Sequence, residues 1–310
     1  MLPHPFFSDL SADHEEVIRH MLRRRDVAEN EILVQQGSGA DCAFFVTRGR
    51  IGVDMRIPGG GSARLTELVA GGILGELALI SAGQRRTATA TALEPSEVLA
   101  LLRRDLQALC AHHHPASLAL LKRMAEHVAC SLTRVSNERM RLGCCPPVKM
   151  SAYASFRKAE NFDVRRALPK LGLAAELSAE EVDELVSLGR VWTTAPDMPL
   201  FGAGNSRGSL YVVIRGSIEV CFRDGDVLRR LSLLGPGEVA GDHTTESERT
   251  VGVVHDGATL LELPAQARIT LADPDRPLAY RFAQALVRSL MMQLEIATRA
   301  LAREKLGLGG

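Results

Sequence analysis

Gly75-Glu76-Leu77-Ala78-Leu79-Ile80, followed by Gln84-Arg85-Arg86-Thr87-Ala88-Thr89-Ala90, holds the groups needed to grip one anion and one hydroxyl. A glycine-led turn entering a short helix offers backbone N–H groups and the positive end of a helix dipole to an anion. The carboxylate of Glu76, beside that turn, can accept a hydroxyl hydrogen. Arg86 lies ten residues further on, read as returning on the next strand, and can fork onto phosphate oxygens. Taken alone, a Gly-Glu-Leu-Ala-Leu run is only a helix start with an apolar face.

The elements ahead of the run must position it. Phe7-Ser8-Asp9-Leu10-Ser11 opens a short amphipathic helix, and residues 31–37 read as a strand ending in a turn at Gly37. Residues 44–53 read as a hairpin pivoting on Gly49, and residues 65–72 follow with a closing Gly71-Gly72. This order of glycines and strands, across residues 6–110, resembles the cyclic-nucleotide-binding domain family of the catabolite activator protein and protein kinase A regulatory subunit type. The resemblance implies a phosphate-binding cassette. In it Gly75 shapes the turn, Glu76 holds the ribose 2′-hydroxyl, Leu77, Ala78 and Leu79 give backbone contacts, and Arg86 pairs with the phosphate; Thr87 and Ala88 complete the run. The implied ligand is cAMP, with cGMP the alternative. A hydroxyl at the position of Thr87 favours guanine in some relatives, whereas bacterial-type sites with Ser or Thr there commonly take adenine.

The resemblance returns within the same chain. Leu10-Ser11-Ala12-Asp13 matches Leu177-Ser178-Ala179-Glu180, and residues 44–51 match residues 211–218; Ser11 to Ser178 and Gly49 to Gly216 are separated by one and the same offset. Pro146-Pro147 interrupts any helix between the copies and marks a linker. The second copy departs from the cassette. Gly241 stands opposite Gly75, but 243–248 replace the apolar helix, and Asp242 to Arg249 is seven positions against ten from Glu76 to Arg86. Asp242 reaches less far than a glutamate, and Glu246 and Glu248 add negative charge beside an anion site. The second copy is therefore expected to be structural.

The expected fold is α+β, mainly β: two jelly-roll (double-stranded β-helix) barrels, each flanked by helices. The expected domains are 1–142, with the cassette and a long helix; a linker at 143–160; and the degenerate copy at 161–310. Residues 115–142 hold no internal proline or glycine, and Leu118, Leu121, Ala125, Val128, Leu132 and Val135 alternate at spacings of three and four. That seam suits a second chain or the helix's own barrel. Aligned on the corresponding helix of the family, Val135 and Ser136 fall near purine-contacting positions. Residues 277–305 carry a broader apolar face that needs the second barrel or another chain as partner, and 306–310 are expected to fray. A homodimer or protein partner through 115–142 or 277–305 follows from these faces.

With 37 basic and 37 acidic residues in 310, no net field draws nucleic acid or an anionic membrane. No apolar run reaches the roughly eighteen residues of a membrane span, and Met1-Leu2-Pro3-His4-Pro5-Phe6-Phe7 lacks the pattern of a signal peptide, so the cytoplasm is expected. Six cysteines without regular spacing read as reduced thiols, including an exposed pair at Cys144-Cys145. His112-His113-His114 are consecutive and point in different directions, so no metal is assigned to them. Arg23-Arg24-Arg25 reads as a solvated helix end. No helix-turn-helix pattern appears, which speaks against DNA, and no triad, carboxylate pair or P-loop suggests catalysis. The expectation is a non-enzymatic nucleotide receptor whose signal passes through the helix after the first barrel. Its rival is a scaffold built on ligand-free barrels.

Overall fold

The structure, a computed structural model, describes residues 2–308 except 151–155, 160–161, 176, 203–207 and 242–249. The chain divides into two compact units, residues 1–127 with 294–310, and residues 128–293.

In the first unit Ser11 caps α1 (Ala12–Arg19), its hydroxyl accepting from the His14 amide. Strands β1 (Arg23–Val27), β2 (Ile32–Val34), β3 (Cys42–Arg48), β4 (Ile51–Ile57), β5 (Gly61–Leu68) and β6 (Ile73–Leu74) lead into α2 (Leu77–Ile80). After it come β7 (Thr89–Ala92), β8 (Ser96–Leu102), α3 (Arg103–Ala111) and α4 (Pro115–Arg141). The strands pair antiparallel in two sheets ordered β1-β8-β3-β6 and β2-β7-β4-β5, the order of an eight-stranded jelly roll. Apolar side chains at alternate strand positions, among them Val27, Phe44, Val46, Ile51, Ala90 and Val98, fill the barrel between the sheets.

Residues 44–53 are not a paired hairpin. β3 and β4 lie in opposite sheets, and the hairpin is β4–β5, turning between Ile57 and Gly61. Gly49 bends the chain across from one sheet to the other. Its φ is +88° and a Cβ there would fall 2.2 Å from Ser96 Oγ, so both backbone and space demand glycine. Arg23-Arg24-Arg25 likewise belong to β1 rather than to a helix end. β1 is a sheet edge, where charge discourages pairing with another chain, and Arg24 and Arg25 meet Glu97 and Glu31 at 2.6 and 2.7 Å.

In the second unit, β9 (Pro147–Val148) pairs with β14 and β10 (Phe156–Lys158) with β11, so parts of the expected linker extend a sheet. The elements that follow are α5 (Val164–Ala167), α6 (Ala179–Ser187), β11 (Arg190–Thr194), β12 (Pro199–Phe201), β13 (Leu210–Asp224), β14 (Val227–Leu234), β15 (Val239–Gly241), β16 (Thr250–Leu263), α7 (Ala265–Thr270) and α8 (Pro277–Lys305). β13 and β16 are each long enough to serve both faces of a barrel. Their outer halves sit with β11 and β15 on one face, and their other halves with β12 and β14 on the other. Cys145, expected exposed with Cys144, is buried, because its segment lies along β14 and its carbonyl accepts from Arg229.

The registers of the two units correspond strand by strand. Phe44 pairs with Ala100 in the first, and Tyr211, its match by the sequence repeat, pairs with Glu262 in the second. A bulge between Val46 and Arg48 recurs between Val213 and Arg215. Phe44 also pairs with Leu74, and Tyr211 with Ala240. The chain from Ala240 to Glu262 is shorter than the chain from Leu74 to Ala100, the stretch that holds Gly75 through Arg86 in the first unit. Asp242, Glu246, Glu248 and Arg249 fall in that segment, outside the described residues.

Of the terminal stretch expected to fray, Leu306 instead packs, half-buried, against the cluster of Met55, Ala63 and Ala302 within the first unit.

Candidate functional site

Arg86 is the centre of the arrangement in the first unit. It sits in the irregular segment before β7, and its backbone is clamped on both sides. Its N–H donates to Ser38 O at 2.9 Å, and its carbonyl accepts from Gly37 N at 2.8 Å. Its neighbour Arg85 is exposed and donates to Gly37 O. The Arg86 side chain turns inward and is buried, with its carbon Cζ 5.6 Å over the Phe44 ring. Nη2 donates to Cys42 Sγ at 3.3 Å, and Nη1 is buried with no hydrogen-bond partner among the described residues. No carboxylate pairs with this guanidinium among the described residues. A buried cationic donor left open is costly, by about 1–3 kcal/mol or more, and such groups mark places where an acceptor belongs.

Gly75 stands against that open nitrogen. Its φ is +80°, and a Cβ there would lie 2.1 Å from Arg86 Nη1 and 3.1 Å from Cys42 O. Only glycine lets the turn before α2 approach the guanidinium so closely. The Ala78 and Leu79 amides donate back to the Gly75 and Glu76 carbonyls, which builds the turn. The amides at the start of such a turn have no partner inside it and point at whatever lies ahead. Ala78 and Leu79 are buried and anchor α2, whereas Leu77, Thr87 and Ala88 are half-buried.

Glu76 makes no capping bond to α2. Its Oε1 lies 3.3 Å from His127 Nε2 of α4, and both side chains are mostly shielded from solvent. His127 in turn meets the Phe6 ring edge-on at 6.1 Å, in an aromatic cluster with Phe7, Phe45 and His4. His4 is buried, with Nδ1 accepting from Phe6 N and Nε2 3.2 Å from Gly72 O. Burial lowers its pKa below the ordinary histidine value, the Gly72 carbonyl opposes this, and His127 adds to the lowering. Burial likewise pushes the Cys42 thiol up, against the pull of Arg86. Cys42 therefore stays a neutral thiol whose sulfur faces a cation.

Gly75, Glu76, α2 and Arg86 meet in one place. Ser136 is a buried residue of the second unit. Cys42, Phe44 and His127 are the additions that the sequence reading lacks. Cys42 and Phe44 alternate on one strand and so share a face, a signal available from spacing alone. Nothing in the periodicity of α4 marks His127.

Residues 24–113 match the family model described as cyclic nucleotide-binding domain. The matched residues all lie within the first unit. The chain is also similar to the cyclic AMP receptor protein of Thermus thermophilus, 30% identical over 128 residues, which is 39% of this chain and 59% of that protein's length. Among solved structures, the N-terminal domain of a transcriptional regulator from Streptomyces coelicolor is 28% identical, covering 41% of this chain and 89% of its own, with a TM-score of 0.36. The regulatory domain of Toxoplasma gondii protein kinase A, crystallised with cAMP, is 15% identical, covering 86% of each chain, with a TM-score of 0.32. None of the described helices is long and apolar enough to cross a membrane.

Proposed function

We propose that the first unit is a non-enzymatic receptor for a cyclic mononucleotide, with cAMP the first candidate and cGMP the alternative. The observation that carries this reading is the Arg86 guanidinium, buried beside Gly75, with no carboxylate and no partner for Nη1 among the described residues. A singly charged cyclic phosphate supplies the acceptor oxygens that this fork lacks. Glu76, next in sequence, takes the ribose 2′-hydroxyl. Leu77, Ala78 and Leu79 hold the turn, and Thr87 and Ala88 border the phosphate. Helix α4, which carries His127 against Glu76, relays occupancy to the rest of the chain or to a protein partner. The second unit serves as a structural module that needs no nucleotide.

Calorimetric titration of the full chain with cAMP and with cGMP tests the reading. Saturable binding of one of them, lost in Arg86→Ala and kept in Arg85→Ala, is the expected result. Equal losses in the two variants would remove Arg86 from the site.

A further inference from the structure

The last turns of α8 belong to the first unit. Ala302 is fully buried there, in one cluster with Met55 of β4 and Ala63 of β5, and Leu306 and Ala88 pack against the same cluster. Met55 is in phase with Ile51 and Val53 of the barrel core, and Ala88 with Ala90 and Ala92. Met55 pairs with Ala63, and Asp54 with Thr89, so the next step along brings Met55 beside Ala88 in one apolar row across the sheet. Ala88 follows Arg86 by two positions, so this row adjoins the segment that carries the guanidinium. The helix end is held on it by specific bonds. α8 stops at Gly307, φ +69°, where the Leu308 amide donates to Arg303 O at 2.9 Å and the Gly307 amide to Glu304 O at 3.0 Å. That stop lays Leu308 on the β4–β5 turn, where a Cβ on Gly60 would collide with Leu308 Cδ1. Lys305 Nζ donates to Arg64 O and Leu65 O, each at 3.4 Å. Leu65 sits at a bulge of β5, since Thr66 pairs with Val53 and Arg64 already with Asp54.

We propose that residues 302–308 are a tethered competitor for the nucleotide base: binding in the first unit displaces the end of α8 from this apolar row and frees it. The inference rests on the reading of the first unit as a cyclic-nucleotide receptor. A cyclic nucleotide is anionic at one end and flat with apolar faces at the other. With its phosphate on Arg86, its base needs an apolar wall nearby. Ala302 packs directly on Met55 and Ala63, which leaves no layer between helix and wall for an aromatic ring. Helix end and base therefore exclude one another. A tethered segment competes at an effective concentration set by its tether, so a small contact is enough to hold the wall. The contact is small in fact, with one alanine and two leucines on the helix side, so a ligand with a charged anchor can displace it. Affinity for the nucleotide is then reduced by the fraction of chains whose wall is covered.

The test uses the full chain with cAMP or, should cAMP not bind, cGMP. Hydrogen exchange read by mass spectrometry over residues 298–310 reports the helix end directly. Saturating nucleotide should speed exchange there in wild type and leave it unchanged in Arg86→Ala. Calorimetry then compares wild type with Ala302→Glu and Leu306→Ser, which loosen the helix end without touching Arg86 or the α2 turn. Both variants should bind the nucleotide more tightly than wild type, by about threefold to tenfold. Thermal melts report whether each variant folds, and exchange in wild type carries the test if neither does. Exchange that nucleotide slows, as under a closing lid, or leaves unaltered would overturn the inference while the receptor reading stands. Wild-type affinity in a folded variant would overturn it in the same way. Absence of nucleotide binding in wild type and in the loosened variants alike would instead remove the receptor reading, and this inference with it.

Discussion

The two units share a strand order, a register and even a bulge, yet they handle their polar groups in opposite ways. In the first, Cys42 and Phe44 line the approach of Arg86, whose Nη1 remains open. Ser209 and Tyr211 occupy the corresponding positions of the repeat in the second, and both are satisfied internally. Ser209 Oγ donates to Glu262 at 3.1 Å, Tyr211 OH donates to Leu200 O at 3.2 Å, and Phe201 stacks on the tyrosine ring. The helices differ in the same sense. His127 of α4 reaches a side-chain carboxylate, whereas Ser289, its counterpart in α8 when the repeat is carried on from the pairing of Ala100 and Glu262, accepts from the Val239 amide at 3.1 Å. Gln293, one turn further, donates to the Val239 carbonyl at 3.2 Å. Both backbone groups of one β15 residue are thereby tied to α8. Conserving a topology does not conserve a site. Under the function proposed above, what separates receptor from scaffold is whether the buried donors find partners inside the protein.

Three perturbations bear on this contrast. The largest effect is expected at Arg86. Arg86→Met should weaken cAMP binding by about 2–4 kcal/mol, since the phosphate loses its fork. The same change should raise the stability of the ligand-free chain by about 1 kcal/mol, because a charge without an ionic partner is replaced by an apolar side chain of similar length. Calorimetry and denaturant melts measure the two. A variant that loses stability instead would make Arg86 a structural residue, and the two units would then be alike.

An intermediate effect is expected in the second unit. Ser289→Ala leaves the buried Val239 amide without its acceptor and should cost about 1–3 kcal/mol of stability. Gln293→Ala should act similarly through the carbonyl. Neither should change cAMP affinity, and a change in affinity would show that the second unit takes part in binding.

The smallest effect concerns His4. Its folded-state pKa is lowered, so as pH falls through the ordinary histidine value the unfolded chain takes up the proton first. The stability of the first unit should be level above that value, fall as pH drops towards the lowered pKa, and level again below it. Melts of wild type and His4→Gln across that range check the sign, with the variant showing the shallower slope.

Much of this fold can be read from glycines and spacing. Gly49 and Gly216 mark the same crossover, and Gly75 and Arg86, singled out together in the sequence, do meet in space. The exchange of β3 and β4 between sheets was not legible, because a glycine in a left-handed turn looks the same in a hairpin and in a crossover. β1 was obscured for another reason: an exposed edge strand of Arg-Arg-Arg-Asp has no apolar alternation to betray it. His127 lay beyond reach of the sequence, since periodicity shows which face of α4 is apolar but not which carboxylate a flanking side chain meets.

The most direct test of the central claim is the number of cyclic nucleotides bound per chain. Calorimetric titration with cAMP should give one site on wild type, one on Arg249→Ala, and none measurable on Arg86→Ala at the same concentrations. Two sites per chain, or stoichiometric binding that survives in the Arg86 variant, would contradict the assignment of receptor to the first unit and scaffold to the second.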